Sequence, residues 1–410
     1  MNITIFTISN EKTNFFIRVA NSIIKNHELN FITTRYSSYK IIKDAGYKVN
    51  MLQNFIKDDM DISEFKKFEY EAILMDVKAG FLSEKVAKEQ FRLLSIGFKN
   101  YLNINNVDKF ILWNGSMLQG FTASIVAEAY NINKIFFEVG NFPNKIFIDE
   151  KGVNAKSSLM DKDLSICDNY DEEKITKFLK DHKKKKEKLH IVPQAKKRIA
   201  ISFNFLFNRV YNIFSKYNIS ETNSSILNII LKKVNYGSIS INFDQYNITT
   251  KDFIFLPLQV STDSQVIRNS DVDLYDSIEY ALKMANENNL NLLIKPHPAE
   301  VNTEILEFIY QLKKKRKNIF LINDNTYLLI KYSKIVITIN STVGIEALMY
   351  YKPVILLGSA FFKLYCSSDI LKVDKVKINK FLYNYIFNIL KNASFFDNSS
   401  ICNSTLKDFL

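Results

Sequence analysis

The sequence predicts an α/β protein with two Rossmann-like domains, and three observations predict it. At 410 residues the chain exceeds what one hydrophobic core organises, so two domains of roughly 150–200 residues each are expected. Short apolar runs alternate with helix-period segments in two separate stretches, the pattern of parallel βαβ units. Between the two stretches, residues 160–250 turn Lys- and Asn-rich, which marks a change of organisation.

In the first stretch, residues 3–8 form a short apolar run. Residues 15–24 then carry Phe16, Val19, Ala20, Ile23 and Ile24 at helical spacing, so the reading is strand, loop, helix. Residues 31–34 and 39–45 repeat that unit, and residues 61–106 read as mostly helical. A strand over 109–113 ends in Asn114-Gly115-Ser116, a helix covers 119–130, and a strand over 134–138 ends at Gly140. In the middle, helical stretches at 172–188 and 203–216 suggest a helical connector. The second alternation runs strand 253–258, helix 273–288, strand 291–294, helix 303–314, strands 319–322 and 335–339, helix 343–350 and strand 353–357. A final helix over 379–391 falls outside it. The expected domains are therefore 1–250, with the connector at about 160–250, then 251–375, with 376–410 packing back on the N-terminal domain.

Composition narrows the function classes. Hydrophobic residues make up 47% of the chain, yet no apolar stretch approaches the ~20 residues that span a bilayer. Glu11 and Lys12 interrupt the segment that a signal peptide needs unbroken, so the cytoplasm is the expected compartment. Cys167, Cys366 and Cys402 stand singly, and the four histidines show no i, i+4 pair; no metal is expected. The net charge of +12 invites a nucleic-acid reading, but the strongest basic run, Lys183 to Lys186 with Lys188, lacks interleaved aromatic motifs. A solvated face or an anionic membrane surface fits it better than nucleic acid. The aromatic-rich helix that follows, with Phe203, Phe207, Val210, Tyr211 and Phe214, reads first as a helix packed on its domain and second as one lying on a membrane.

The densest chemical signal sits at three strand ends of the second half, and in open α/β sheets ligands bind at the carboxyl ends of strands. The first loop carries Gln259, Asp263 and Ser264. The second is Lys295-Pro296-His297-Pro298, whose prolines stiffen a loop that presents an ammonium beside an imidazole, donors suited to an anionic leaving group. The third runs from Asn340-Ser341-Thr342 through Gly344 to Glu346. It is a strand-to-helix turn whose backbone N–H groups suit phosphate and whose Glu346 suits ribose hydroxyls. Capping by Ser341 or Thr342 is compatible with that reading. GxGxxG and GxxxxGK[ST] patterns are both missing, which removes support for dinucleotide redox chemistry and ATP hydrolysis. In the first half, Glu138 and Asp149 follow one another on adjacent loops, an arrangement usable for glycosyl transfer or, more plainly, for a turn at Asp149-Glu150-Lys151-Gly152.

Taken in order, SNEKTNFFIRVA, ILWNGS, EVGNFPNKIFIDEKGVNAKSSL, LPLQVSTDSQVIRNS, IKPHPAE and TINSTVGIEALMYYKPVILLGSAFF resemble the capsular-polysaccharide biosynthesis proteins that act as retaining β-Kdo transferases. The resemblance covers most of the chain. It implies a GT-B fold, two Rossmann-like domains facing across a cleft, with CMP-β-Kdo as donor, a glycan or glycolipid acceptor and no metal. It places the CMP phosphate on His297, Pro298, Ser341 and Thr342, the acidic-glycine motif on Glu138 and Gly140, and the nucleophile on Asp149. This chain has Val139 where related chains read a second acid, which weakens any role that needs one there. The resulting expectation is transfer with retention. Asp149 attacks, Glu138 orients or deprotonates the acceptor, Lys295 joins the phosphate contacts, and Glu346, Asn340, Gly344, Gln259, Asp263 and Ser264 complete the donor pocket. The setting is cytoplasmic, with the inner membrane as a peripheral partner. The alternatives are a sialyltransferase or another nucleotide-sugar transferase, and a non-catalytic subunit of capsule assembly or export.

Overall fold

The computed structural model describes residues 1–57, 60–188, 208, 210–212, 215–219, 241–300, 303–369, 372–397, 401–402 and 406–409. The chain divides into two compact units, the first built mainly from residues 1–158 and 389–410, the second from residues 159–188 and 241–388. Each unit is a Rossmann-like α/β layer structure, so the expected α/β class, with the two-unit composition of GT-B, is what the chain has.

In the first unit, β1 (Asn2–Thr7), β2 (Glu28–Thr33), β3 (Lys48–Met51), β4 (Lys109–Trp113) and β5 (Asn133–Val139) run parallel, while β6 (Lys145–Asp149) and β12 (Lys391–Asn392) are antiparallel additions. The order is β12-β6-β5-β4-β1-β2-β3. Its strands read as near-continuous apolar runs because helices cover both faces. One of those helices, α1 (Asn10–Ile23), starts where the Ser9 side chain accepts from the Lys12 N–H, and its Phe16, Val19, Ala20 and Ile23 stripe enters the core with Ile3, Ile5 and Phe137. The long α4 (Glu84–Ile104), with α3 (Glu69–Lys78) and α5 (Leu118–Ala129), supplies the helical content expected of 61–106 and the helix after β4.

The second unit is a five-stranded, fully parallel sheet in the order β11-β10-β7-β8-β9, with β7 (Phe253–Pro257), β8 (Asn291–Lys295), β9 (Ile319–Leu321), β10 (Ile335–Thr338) and β11 (Val354–Leu356). Its helix α8 (Leu274–Glu287) opens on a capping box formed by Asp273 and Asp276.

The unit boundaries fall differently from the sequence expectation. Helix α6 (Glu172–Glu187), expected in an N-terminal connector, packs on α10 (Thr326–Tyr332) and α12 (Lys375–Tyr383) of the second unit. Helix α12 and the π-helical turn Asn384–Ile389 up to Asn388 also stay in the second unit, and the chain from Ile389 returns to the first, adding β12 beside β6. Most of the aromatic-rich stretch expected as a helix over 203–216 lies outside the described residues. Those described belong to the first unit: Asn208 hydrogen-bonds the Ser37 N–H and hydroxyl, and Tyr211 stacks on Tyr36 at 5.2 Å. No helix among the described residues is long and apolar enough to cross a membrane.

Candidate active site

Strand order in the second unit brings together loops that the sequence keeps 38 to 81 residues apart. β7 is central, with β8 and β10 at its sides, so the loops after Pro257, Lys295 and Thr338 open at one edge of the sheet. Two buried amides brace them. Gln259 Nε2 donates to Asn340 Oδ1 at 3.0 Å, Asn340 N–H donates to Gln259 Oε1 at 3.0 Å, and Asn340 Nδ2 donates to the Gln265 and Asn269 carbonyls. Their hydrogen-bonding capacity goes into the loops themselves, so these two residues shape the pocket expected of them from behind. Asp263 caps α7 (Ser264–Asn269) through the Gln265 N–H, and Ser264 opens that helix.

Lys295 and His297 differ in how they are held. The half-buried Lys295 ammonium donates to the Asp324 carbonyl at 2.6 Å and to Thr326 Oγ1 at 2.9 Å. Burial lowers its pKa, against the pull of Asp324 and Glu346. His297 and Pro298 are exposed at the lip of the loop. The imidazole Nδ1 accepts from the Ala299 N–H at 3.1 Å, which leaves the proton of the neutral ring on Nε2. Desolvation by the loop lowers the His297 pKa, more than the nearby carboxylates of Asp263 and Glu300 raise it. Glu300 in turn braces the first loop by accepting from the Ser261 N–H and hydroxyl.

At the third loop, Ser341 Oγ accepts from the Val343 N–H and the Ser341 carbonyl accepts from the Gly344 N–H, so Ser341 closes the entry to α11 (Val343–Met349). Thr342 is exposed beside it and makes no side-chain cap. Gly344 has a packing role where a ligand contact was expected: a Cβ there would stand 2.6 Å from the Phe362 ring. Glu346 Oε1 accepts from the Tyr327 hydroxyl at 2.7 Å. Burial raises the Glu346 pKa, although the Tyr327 hydrogen bond and the charges of Lys186 and Lys295 oppose the rise. Tyr327 and Lys186 are participants that sequence reasoning missed. Lys186 sits 5.4 Å over the Tyr327 ring and Glu187 accepts from the Tyr350 hydroxyl, contacts that depend on α6 docking here.

In the first unit, Glu138 and Asp149 do not sit on successive loops at one edge. β5 and β6 form an antiparallel hairpin in which Glu138 faces Phe147 and Asp149 faces Phe136, so the two residues are diagonal neighbours on one sheet face, with their backbones about 7–8 Å apart. Gly140 is required by that hairpin, since a Cβ there would meet the Lys145 carbonyl oxygen at 2.7 Å. Glu138, near the carboxyl end of β5, takes a hydrogen bond from Asn114 Nδ2 at 2.6 Å; Asn114 itself has φ of 53°. Asp149 is 4% exposed. Its Oδ1 accepts from the Lys151, Gly152 and Ser158 N–H groups, and its Oδ2 accepts from the Ser158 hydroxyl at 2.7 Å and the Ser158 N–H. The carboxylate thus ties down the loop that follows it.

Residues 108–380 match the family described as capsule polysaccharide biosynthesis protein. The chain belongs to that family. Every site residue expected from the sequence lies inside the matched span, as does α6. The chain is also similar to the protein FixF of Sinorhizobium fredii, 34% identical over 116 residues, which span 27% of this chain and 28% of FixF, little more than a quarter of that relative's length. Among solved structures, it is similar to a Thermosulfurimonas dismutans KpsC described as a beta Kdo 2,7 transferase, at 14% identity and a TM-score of 0.47 over 98% of this chain and 96% of that one. A second, the beta Kdo 2,4 transferase of the same organism's KpsC, gives 14% identity and a TM-score of 0.40 over 70% of this chain and 81% of that one. Within this capsule-synthesis chain, no group of three or more His, Cys, Asp and Glu among the described residues could hold a metal ion.

Proposed function

We propose that the chain is a glycosyltransferase that moves Kdo from CMP-Kdo to a glycan or glycolipid acceptor in capsule synthesis, with retention at the anomeric carbon. The observation that carries the reading is the gathering of Lys295 and His297 with the Ser341–Thr342 turn at the carboxyl ends of two parallel strands, β8 and β10, that flank β7. A departing CMP carries its new negative charge on phosphate, and fixed N–H donors and an ammonium stabilise charge at that point without reorganising. His297 Nε2–H and Thr342 stand exposed for that contact, with Lys295 behind them and Pro298 stiffening the lip. Glu346, held by Tyr327, accepts from the ribose hydroxyls. No metal enters the scheme. The proposed setting is the cytoplasmic side of the inner membrane.

Retention through two inversions needs a carboxylate on the sugar face opposite the leaving phosphate. In this proposal Asp149 is that nucleophile and Glu138 serves the acceptor hydroxyl. The position of Glu138 near the strand's carboxyl end, and the occupation of Asp149 by its own loop, favour a second reading in which Glu138 attacks and Asp149 holds the loop.

Incubating the purified protein with CMP-Kdo, CMP-sialic acid and a set of UDP-sugars tests the donor. The expected result is nucleotide release from CMP-Kdo alone, reduced about 100-fold in His297→Ala, the cost of losing one preorganised donor. Release from CMP-sialic acid or a UDP-sugar instead would replace Kdo, and the absence of binding and turnover with every donor would favour the assembly subunit.

A further inference from the structure

The second unit carries a groove that the donor reading does not use. A cavity of about 380 Å³ runs along α6, floored by the rings of Phe178, His182 and Phe387 and rimmed by Lys174, Lys177, Asp181 and Lys185. Helix periodicity makes the rim, because these α6 positions recur every three or four residues and so share one face. The floor is ordered by aromatic geometry: Phe178 stacks on His182 at 5.7 Å and meets Phe387 edge-on at 5.5 Å. The Lys174 ammonium stands 4.3 Å above the Phe387 ring. Desolvation holds the His182 pKa at about 4, so the floor is uncharged at neutral pH while the rim is cationic on balance.

The spacing of the rim selects a ligand shape. Lys174 and Lys177 lie at one end and Lys185 at the other, about 12–16 Å away along the helix at 1.5 Å per residue. One compact anion cannot touch both ends, whereas a linear chain bearing acid groups at intervals can. The middle of the groove asks for apolar surface, and a sugar ring offers a C–H face to an aromatic ring and its acid group to an ammonium. We infer that this groove binds a strand of anionic glycan, the acceptor or product chain of the synthesis proposed above. The inference rests on that glycan-synthesis reading for its ligand, and on the groove alone for its geometry. His182 also meets the ring of Tyr327 at 6.2 Å, so one side chain separates the strand from the residue that holds Glu346.

The test uses the full chain with fluorescent oligosialic acid as the anionic glycan, labelled dextran of equal length as the neutral one, and phosphatidylglycerol vesicles as a membrane. Oligosialic acid should bind, with affinity falling as salt shortens the range of the charges. The combined variant Lys174→Gln, Lys177→Gln, Lys185→Gln should bind it about tenfold or more weakly. Phe178→Leu should weaken binding while leaving the salt dependence unchanged. Equal binding of dextran, an unaffected triple variant, or retention on vesicles without oligosaccharide binding would each overturn the inference. Donor hydrolysis without acceptor should be the same in the triple variant as in the wild type, which also verifies folding of the variant. A protein that binds oligosialic acid through these lysines but hydrolyses no CMP-sugar would keep the groove and remove the donor reading.

Discussion

At the scale of single residues, the two carboxylates of the first unit are in different chemical states of employment. Asp149 is buried with both oxygens accepting from Lys151, Gly152 and Ser158, while the part-buried Glu138 accepts from Asn114 Nδ2 and from the Val139 N–H. Hydrogen bonds to a charged group contribute about 1.5–3 kcal/mol each, though not additively. Asp149→Asn replaces an acceptor oxygen by an amide NH2 group facing existing donors, so it should lower unfolding stability by at least about 2 kcal/mol in a denaturant titration. The same protein decides the chemistry. If Asp149 is the nucleophile, wild type trapped with donor yields a sugar-modified peptide containing Asp149. If Asp149 only anchors its loop, the adduct maps to Glu138. Sequence spacing put both residues in the picture, but it could not reveal that β6 runs antiparallel and turns Asp149 back along the sheet.

Between elements, the contact of α6 with α10, and with Tyr350 just past the end of α11, creates the environment of Glu346. Neither α10 nor the approach of Lys186 was legible, because a seven-residue helix has little periodicity and a lysine run has no preferred side until the helix is docked. Once docked, Lys183 and Lys186 turn inward over Tyr350 and Tyr327, while Lys184, Lys185 and Lys188 remain exposed. The basic run is therefore only partly a solvated face. Burial raises the Glu346 pKa above its ordinary value of 4.5, so its protonated form is the one the fold favours. The associated stability is present below pH 4.5 and is lost as pH rises through the folded-state value. Glu346→Gln, which keeps an acceptor for Tyr327, should consequently melt at a higher temperature than wild type at about pH 7.5. The difference should vanish below pH 4.5. Scanning calorimetry at the two pH values checks it. In the donor assay the same variant should show a raised KM, since with one oxygen held by Tyr327 the atom proposed to face the ribose becomes an amide nitrogen.

For the whole molecule, the chain path is the decisive feature. The first unit is closed by its most distant segment: β12 pairs with β6, Arg18 donates to the carbonyls of Ser394 and Phe395, and Ala393, Ile401 and Leu406 enter the core with Ile3 and Phe137. Burial of a Leu or Ile side chain stabilises by about 1.5–3 kcal/mol. Ending the chain after Asn388 should therefore remove several kcal/mol, a large share of the roughly 5–15 kcal/mol that holds a domain. The measurable outcome is early unfolding of the first unit, followed by proteolysis of residues 1–158, with residues 241–388 protected as before. Uniform protection of both units in the shortened chain would show that the return segment is not structural.

The sequence by itself determined the α/β class, the presence of two parallel-sheet units and the bounds of most strands. Those properties depend on local periodicity and on apolar runs that must be buried on both faces; the strand over 109–113 was legible to the residue. It also singled out the strand-end loops that the second sheet brings to one edge, because prolines, a histidine and small polar residues at strand ends are local signals. The tertiary structure alone decided which of those side chains are available. Gln259 and Asn340 satisfy each other, Gly344 makes room for Phe362, and Asp149 is enclosed by its loop. It alone decided that α6 belongs with the second unit and that the last segment belongs with the first. Those outcomes rest on contacts between residues tens to hundreds of positions apart, and neither periodicity nor composition records such pairings.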